Sequence, residues 1–172
     1  VSIVARGMAL GYVLSLPEKD TVLHRKAKFE TDLSVMLAGR AAEELILKDF
    51  TTGAGNDIER ATALARKMVC EWGMSDEMGP LSYGKKEEQI FLGREFATHK
   101  DYSEETARKI DKEVSRIVMK SYESAKQILS DHLDLLNRIA EELLEKEVLN
   151  GAELDAMIGF GDTLRQDVPI AQ

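Results

Sequence analysis

Apolar residues recur every three or four positions along most of this sequence, which is the spacing of one face of an α-helix. Four long stretches follow the pattern, at 29–46, 58–72, 110–129 and 133–144. Residues 4–16 differ, because they are apolar, partly β-branched and followed by Pro17, as is typical of a strand. The sequence therefore predicts a mainly α fold with one short N-terminal strand region and a C-terminal bundle of long helices.

The composition excludes several classes of protein. A net charge of -8 without a run of Lys and Arg argues against a nucleic-acid partner, which requires clustered basic residues. No stretch of about 20 apolar residues is present, so we expect the chain itself to be soluble. The single cysteine, Cys70, lies within a helical pattern, and we expect it to be a small core residue.

Polar residues predict where several helices begin. Ser103 precedes two glutamates and predicts the start of the third long helix. Asn150 and Glu153 have the spacing of a capping box, which predicts a short last helix. Asn56 and Glu59 have the same spacing, so Asn56 is predicted to cap the helix over 58–72.

The organisation along the chain predicts one domain over residues 1–158. Its first part, 1–102, ends in a long stretch rich in glycine and without periodicity, in which we expect a short strand at 89–92. Its second part, 103–158, is predicted to be a helical bundle. Residues 159–172 have no periodicity and are expected to form a flexible tail.

The loop at 51–59, with the sequence TTGAGNDIE, has three possible interpretations. A phosphate-binding loop needs Lys and then Ser or Thr after its second glycine, and this loop has Asn and Asp there. A helix cap and a metal site with Asp57 as a ligand both stay open. Zinc needs more ligands than one, yet His24, His99 and His132 are scattered. The residues alone therefore predict no complete catalytic site.

Five blocks occur in a characteristic order: RGMALGYVLSLPEKD, LAGRAAEEL, TTGAGNDIERAT, MVCEWGMSDEMGPLSYG and IFLGRE. In this order they resemble the protease domain of the FtsH family, the membrane-anchored, ATP-dependent zinc metalloproteases. The resemblance covers residues 1–158, and the long helices near the carboxyl terminus fit the helical bundle of the same family. It implies a zinc endopeptidase in which a water activated at the metal attacks the peptide bond.

The resemblance also implies a set of zinc ligands. In the family, a helix with His-Glu-x-x-His supplies two ligands and the general base, and an Asp from a later helix supplies the third. This third ligand corresponds to Asp57 in the TGAGND block. The loop before it is expected to be positioned by Gly53, Gly55 and Asn56. Glu43 and Glu44 are rival candidates for the third ligand, or for a role beside the ligands.

The sequence departs from the family pattern in one respect, because it contains no His-Glu-x-x-His. We therefore expect it to be the C-terminal part of a protease domain that is inactive alone. The ATPase module, which binds ATP and Mg²⁺, and the membrane anchor are expected elsewhere in the parent protein. An alternative is a non-catalytic helical assembly module of the same family.

Partners follow from the same resemblance. The N-terminal strand region is expected to offer main-chain groups to an extended substrate, through Met8, Ala9, Leu10, Gly11 and Tyr12. The substrates would be unfolded polypeptides. The parent is expected to be a homo-hexamer held at the cytoplasmic face of the plasma (inner) membrane by its anchor.

Overall fold

The structure is a computed structural model that describes residues 1–5, 11–13, 23–84 and 102–159. These residues contain five helices and no strand: α1 (Lys26–Leu47), α2 (Gly55–Cys70), α3 (Glu104–Asp131), α4 (Leu133–Lys146) and α5 (Gly151–Ile158). The prediction of a mainly α fold is confirmed. None of these helices combines the length with the apolar composition that a bilayer span requires.

The chain divides into two compact units. One is Val22–Ser130, and the other consists of Val1–Thr21 together with Asp131–Gln172. The first unit contains α1, α2 and nearly all of α3, and the second contains α4 and α5. α3 contributes to the same core as α1 and α2. The single domain over 1–158, with its parts 1–102 and 103–158, stays a prediction.

The first unit is held together by the apolar faces of α1, α2 and α3. The helical periodicity predicted these faces, and the buried side chains fall on them. The core includes Leu33, Leu37, Ala61, Ala65, Met68, Val69, Ile110, Val114 and Ile117. The two alanines on α2 leave space for the bulky side chains of its neighbours. Cys70 is buried as predicted, and this burial raises the pKa of its thiol.

Residues 73–84 follow α2 without regular secondary structure, as the sequence predicted. The segment begins with a tight turn at Gly73, which has a φ of +57°. A Cβ atom at this position would lie 2.9 Å from the Cα of Pro80, so only glycine fits the turn. The predicted strand at 89–92 and residues 160–172 of the predicted tail lie outside the described residues.

A buried carboxylate on α3 fixes this irregular segment. Glu113 is only 1% exposed, and Arg116 donates two hydrogen bonds to it, at 2.7 and 2.8 Å. The hydroxyl of Ser75 donates to Glu113 at 2.7 Å and accepts from the N–H of Met78 at 3.0 Å. The Arg116 guanidinium holds the pKa of Glu113 below its ordinary value, against the opposing effect of burial, and Ser75 lowers it further.

In the second unit, Ser2 pairs with two other segments. Ser2 and Tyr12 exchange main-chain hydrogen bonds of 2.9 and 2.8 Å, and Ser2 also forms an antiparallel bridge with Val148. Both pairings are isolated bridges. Within the predicted strand region, the described residues 4, 5 and 11–13 therefore contribute one bridge and no continuous strand.

Two predicted helix starts are confirmed. The hydroxyl of Ser103 accepts from the N–H of Thr106 at 3.2 Å, at the beginning of α3. The side chain of Asn150 accepts from the N–H of Glu153 at 3.0 Å, and the Glu153 carboxylate accepts from the N–H of Asn150 at 2.9 Å. This reciprocal pair is the predicted capping box of α5.

We expect Glu113→Gln to lower the free energy of unfolding by about 1–3 kcal/mol at neutral pH, because the Ser75 hydroxyl and the Arg116 guanidinium lose a charged acceptor. The carboxyl has a lowered pKa in the folded state, so its contribution is present above its ordinary value of 4.5 and is lost as the pH falls through the folded-state value. Urea denaturation of both proteins at neutral and acidic pH measures this difference. A difference that stays constant with pH would contradict the assignment.

Candidate functional site

The loop between α1 and α2 is anchored to the last turns of α1. The helix stops at Lys48, which has a left-handed φ of 56°. The N–H of Phe50 donates to the side chain of Asp49 at 2.7 Å. The guanidinium carbon of Arg40 lies 3.2 Å from the centre of the Phe50 ring, which is a cation–π contact. The chain thus returns to α1 immediately after leaving it.

Glu43 holds the next part of this loop. The N–H of Thr51 donates to one carboxylate oxygen of Glu43 at 3.2 Å, and the hydroxyl of Thr51 donates to the other. The hydroxyl oxygen also accepts from the N–H of Gly53 at 3.1 Å. The hydrogen bonds from Thr51 hold the pKa of Glu43 below its ordinary value. Both oxygens of Glu43 are therefore engaged with the loop.

Gly53 fits this arrangement because it is small. A Cβ atom there would lie 3.2 Å from the hydroxyl oxygen of Thr51 and 3.6 Å from a carboxylate oxygen of Glu43. At Gly55 a Cβ atom would meet no atom within 4 Å, so this glycine is not needed for space. Of the two predicted positioning glycines, Gly53 is the one in close contact with the Glu43–Thr51 pair.

The start of α2 differs from the sequence prediction, which placed the cap at Asn56. The helix begins at Gly55 and its N-cap residue is Ala54, so Asn56 lies inside the first turn. The carbonyl of Thr52 accepts from the N–H of Gly55 at 3.1 Å, and the carbonyl of Ala54 accepts from the N–H of Ile58 at 3.0 Å. The backbone is thus already turning before Asn56, and no side chain caps the helix.

Asp57 lies in the first turn of α2, with its side chain 47% exposed. Among the described residues, its carboxylate contacts only Arg60, at a long distance of 3.5 Å. No group of three His, Cys, Asp or Glu side chains in the described ranges could hold a metal. Asp57 therefore fits the role of one oxygen ligand to zinc, whereas the described residues do not make a complete centre.

Glu44 is engaged on another side of α1. Lys126 on α3 donates to one of its carboxylate oxygens at 2.8 Å, and the hydroxyl of Tyr122 donates to the other. Lys126 and then Tyr122 lower the pKa of Glu44. Burial and the bond to Glu44 raise the pKa of Tyr122 to about 12. Glu44 thus links α1 to α3.

The predicted substrate strand is described only in part. Met8, Ala9 and Leu10 lie outside the described residues. Gly11 lies against Ser2, whose carbonyl oxygen would be 2.8 Å from a Cβ atom at Gly11. The main-chain N–H and carbonyl of Tyr12 both bond to Ser2.

Three residues that shape this loop were not predicted from the sequence: Arg40 on α1, and Phe50 and Thr51 in the loop itself. Their contacts join residues eight and ten positions apart across the end of a helix, where neither the helical nor the strand period predicts a neighbour. The only local signal was the pair of threonines before the two glycines, and threonine is common in such loops.

The sequence is similar to known proteins over most of its length. The model of peptidase family M41 matches residues 1–157. The ATP-dependent zinc metalloprotease FtsH 1 of Thermomicrobium roseum is 54% identical over 157 residues, which are 91% of this chain and 24% of that protein. The ATP-dependent zinc metalloprotease FtsH of Myxococcus xanthus is 45% identical over 169 residues, or 98% of this chain and 26% of that protein.

These matches show that the mainly helical fold described above is that of a peptidase domain. The chain belongs to peptidase family M41. It corresponds to part of the protease domain of FtsH-type zinc metalloproteases, as the five sequence blocks predicted. The chain spans about a quarter of the length of the curated relatives it matches.

We expect Asn56→Ala to change the free energy of unfolding by less than about 0.5 kcal/mol, because its side chain caps nothing. The matched control is Asn150→Ala, which removes an actual capping box and should cost about 1 kcal/mol. Chemical denaturation followed by circular dichroism measures both values. A cost at Asn56 equal to that at Asn150 would contradict the assigned start of α2.

Proposed function

We propose that this chain is part of an ATP-dependent zinc metalloendopeptidase in which Asp57 supplies one zinc ligand. The observation that carries the proposal is that the three candidate acids differ in the hydrogen bonds that their carboxylates already make. Glu43 and Glu44 each use both carboxylate oxygens in hydrogen bonds. The carboxylate of Asp57 has only the long, exposed contact with Arg60 among the described residues, so it can accept a cation without breaking a strong bond.

The location of Asp57 suits a ligand for two physical reasons. The positive end of the α2 dipole favours negative charge in the first turn, so the carboxylate is stabilised without a buried counter-ion. The short side chain extends from helical backbone, which limits the directions in which its oxygens can point. Arg60 is 63% exposed and can turn into solvent when a cation binds.

The remaining ligands would come from a His-Glu-x-x-His sequence elsewhere in the whole protein, since this sequence has none. Zinc, when bound, supplies a Lewis acid that activates water and polarises the scissile carbonyl. Asp57 would add negative charge and fix one direction of the coordination shell. ATP and Mg²⁺ would act in a separate module that unfolds the substrate.

We further propose that the substrate is an unfolded polypeptide that binds in extended form beside residues 8–12. Because Ser2 already occupies the main-chain groups of Tyr12, the substrate would pair with the opposite edge. In an extended strand the main-chain groups of residues on either side of a paired residue point to the other edge, so Gly11 and Val13 would offer theirs there. Pairing through the main chain ignores most side chains, which suits a protease of broad specificity.

The whole protein would act as a homo-hexamer at the cytoplasmic face of the plasma (inner) membrane, held there by an anchor outside this chain. This part of the proposal is supported by the likeness to the FtsH-type relatives. The acidic character of the chain agrees with a polypeptide substrate and not a nucleic acid.

In the whole protein, we expect about one zinc ion per chain, and we expect Asp57→Ala to lose it, because zinc sites need at least three protein ligands. Elemental analysis of the purified protein measures the zinc content, and a protease assay on an unfolded protein reports function. Glu59→Ala is the matched control, since it removes another acid near the start of α2. Zinc retained in Asp57→Ala would sink the proposal, whereas zinc lost also in Glu59→Ala would show that the effect is not specific.

The 172-residue chain alone should not cleave an unfolded protein, because it lacks the histidines and the glutamate of the proposed centre. Circular dichroism first establishes that the purified chain is helical. Incubation with zinc and an unfolded protein then tests for cleavage. Cleavage that a zinc chelator abolishes would show that the chain holds a complete site of its own.

A further inference from the structure

The hydroxyl of Thr51 stands between α1 and the backbone that leads into α2. It donates to Glu43 on α1 and accepts from the N–H of Gly53, while the N–H of Thr51 donates to the second oxygen of Glu43. Three hydrogen bonds thus converge on one residue. They connect α1 to the loop at Thr51 and Gly53, which lie six and four residues before Asp57.

The connection continues from this loop into the first turn of α2. Gly55 donates to the carbonyl of Thr52, the residue that follows Thr51, and Ile58 donates to the carbonyl of Ala54. Ala54 is buried, so the loop cannot shift outward without exposing it. A displacement of Thr51 would therefore move the first turn of α2 and the carboxylate of Asp57.

The Glu43–Thr51 pair is a poor candidate for a purely stabilising contact. Thr51 is exposed, and a hydrogen bond near the surface contributes little net free energy because water competes for both partners. The pair nevertheless determines the path of the loop, since it fixes both the main chain and the side chain of Thr51. Its effect is therefore expected on the geometry of Asp57 more than on folding.

We propose that Thr51 is a positioning residue for Asp57 and acts through the carboxylate of Glu43. The inference rests on the proposed role of Asp57 as a zinc ligand. It gives Glu43, one of the rival ligand candidates, the role of an anchor for the loop. Groups that hold a metal ligand in place typically change metal affinity by about 10–100-fold when they are removed.

The test uses the whole protein and measures zinc affinity by competition with a chelating dye. Thr51→Val removes the hydroxyl at nearly constant size and should weaken zinc binding by about tenfold. Thr51→Ser keeps the hydroxyl and should restore wild-type affinity. Thr62→Val is the matched control, because the Thr62 hydroxyl also makes a hydrogen bond, to the carbonyl of Ile58 at 2.8 Å on α2. It should leave the affinity unchanged.

A double-mutant cycle tests whether Glu43 and Thr51 act as one unit. Glu43→Ala and Thr51→Val should each weaken zinc binding to a similar extent, and the double variant should be no weaker than either, because the same contact is lost. Losses that multiply would overturn the proposed connection. Amide hydrogen exchange of the zinc-free protein gives an independent reading, and faster exchange at residues 53–58 is expected in Thr51→Val.

The outcomes separate this inference from the proposed function. If Asp57→Ala abolishes zinc binding while Thr51→Val binds zinc as tightly as wild type, the positioning role is wrong and the ligand role stands. If Asp57→Ala retains zinc, the ligand role itself fails. If Thr51→Val lowers the unfolding temperature alone, with unchanged zinc affinity and unchanged exchange at 53–58, the residue is structural and the inference is overturned.

Discussion

The apolar core shared by α1, α2 and α3 determines which polar groups of the first unit can meet. Leu37 and Ala41 on α1 are buried and fix which face of the helix meets the core. Residues on the two borders of that face therefore lie at the edges of the core. Glu43 and Glu44 are neighbours in sequence, yet successive residues of a helix point about 100° apart. One acid therefore meets the α1–α2 loop and the other meets α3.

Much of the fold was predictable because apolar periodicity depends only on local sequence and on burial. The spacing of helix-capping residues was a less reliable guide. It correctly predicted the capping box at Asn150 but wrongly predicted a cap at Asn56, although both have the Asn-x-x-Glu spacing. The difference lies in the backbone before the helix. At α2 the turn closed by the carbonyl of Thr52 starts the helix two residues earlier than predicted and places Asn56 inside it. Spacing alone cannot reveal where a preceding loop begins to turn.

The candidate site was predictable to a smaller extent. The residues alone left Asp57 as either a first-turn acid or a metal ligand, and the likeness to a family singled it out. The sequence does not reveal which hydrogen bonds the carboxylates of Glu43, Glu44 and Asp57 make in the folded chain. That distinction arises from contacts between residues distant along the chain, such as Tyr122 with Glu44. The contact of Thr51 with Glu43 was missed for the same reason, since it forms only after α1 has ended and the chain has turned back.

A side chain that shares a metal ion with ligands from another segment binds the ion more tightly when it is already held in place. Each rotatable group that becomes ordered on binding lowers the affinity, so prior order in the loop is worth free energy at the binding step. In the proposal for Asp57, the backbone hydrogen bonds of the first turn of α2 and the hydrogen bonds from Thr51 to Glu43 on α1 would supply that order. The proposed roles therefore assign stability and metal binding to different groups. The buried Glu113 network holds the segment around Ser75 against α3, whereas the Glu43–Thr51 pair is proposed to direct the carboxylate of Asp57.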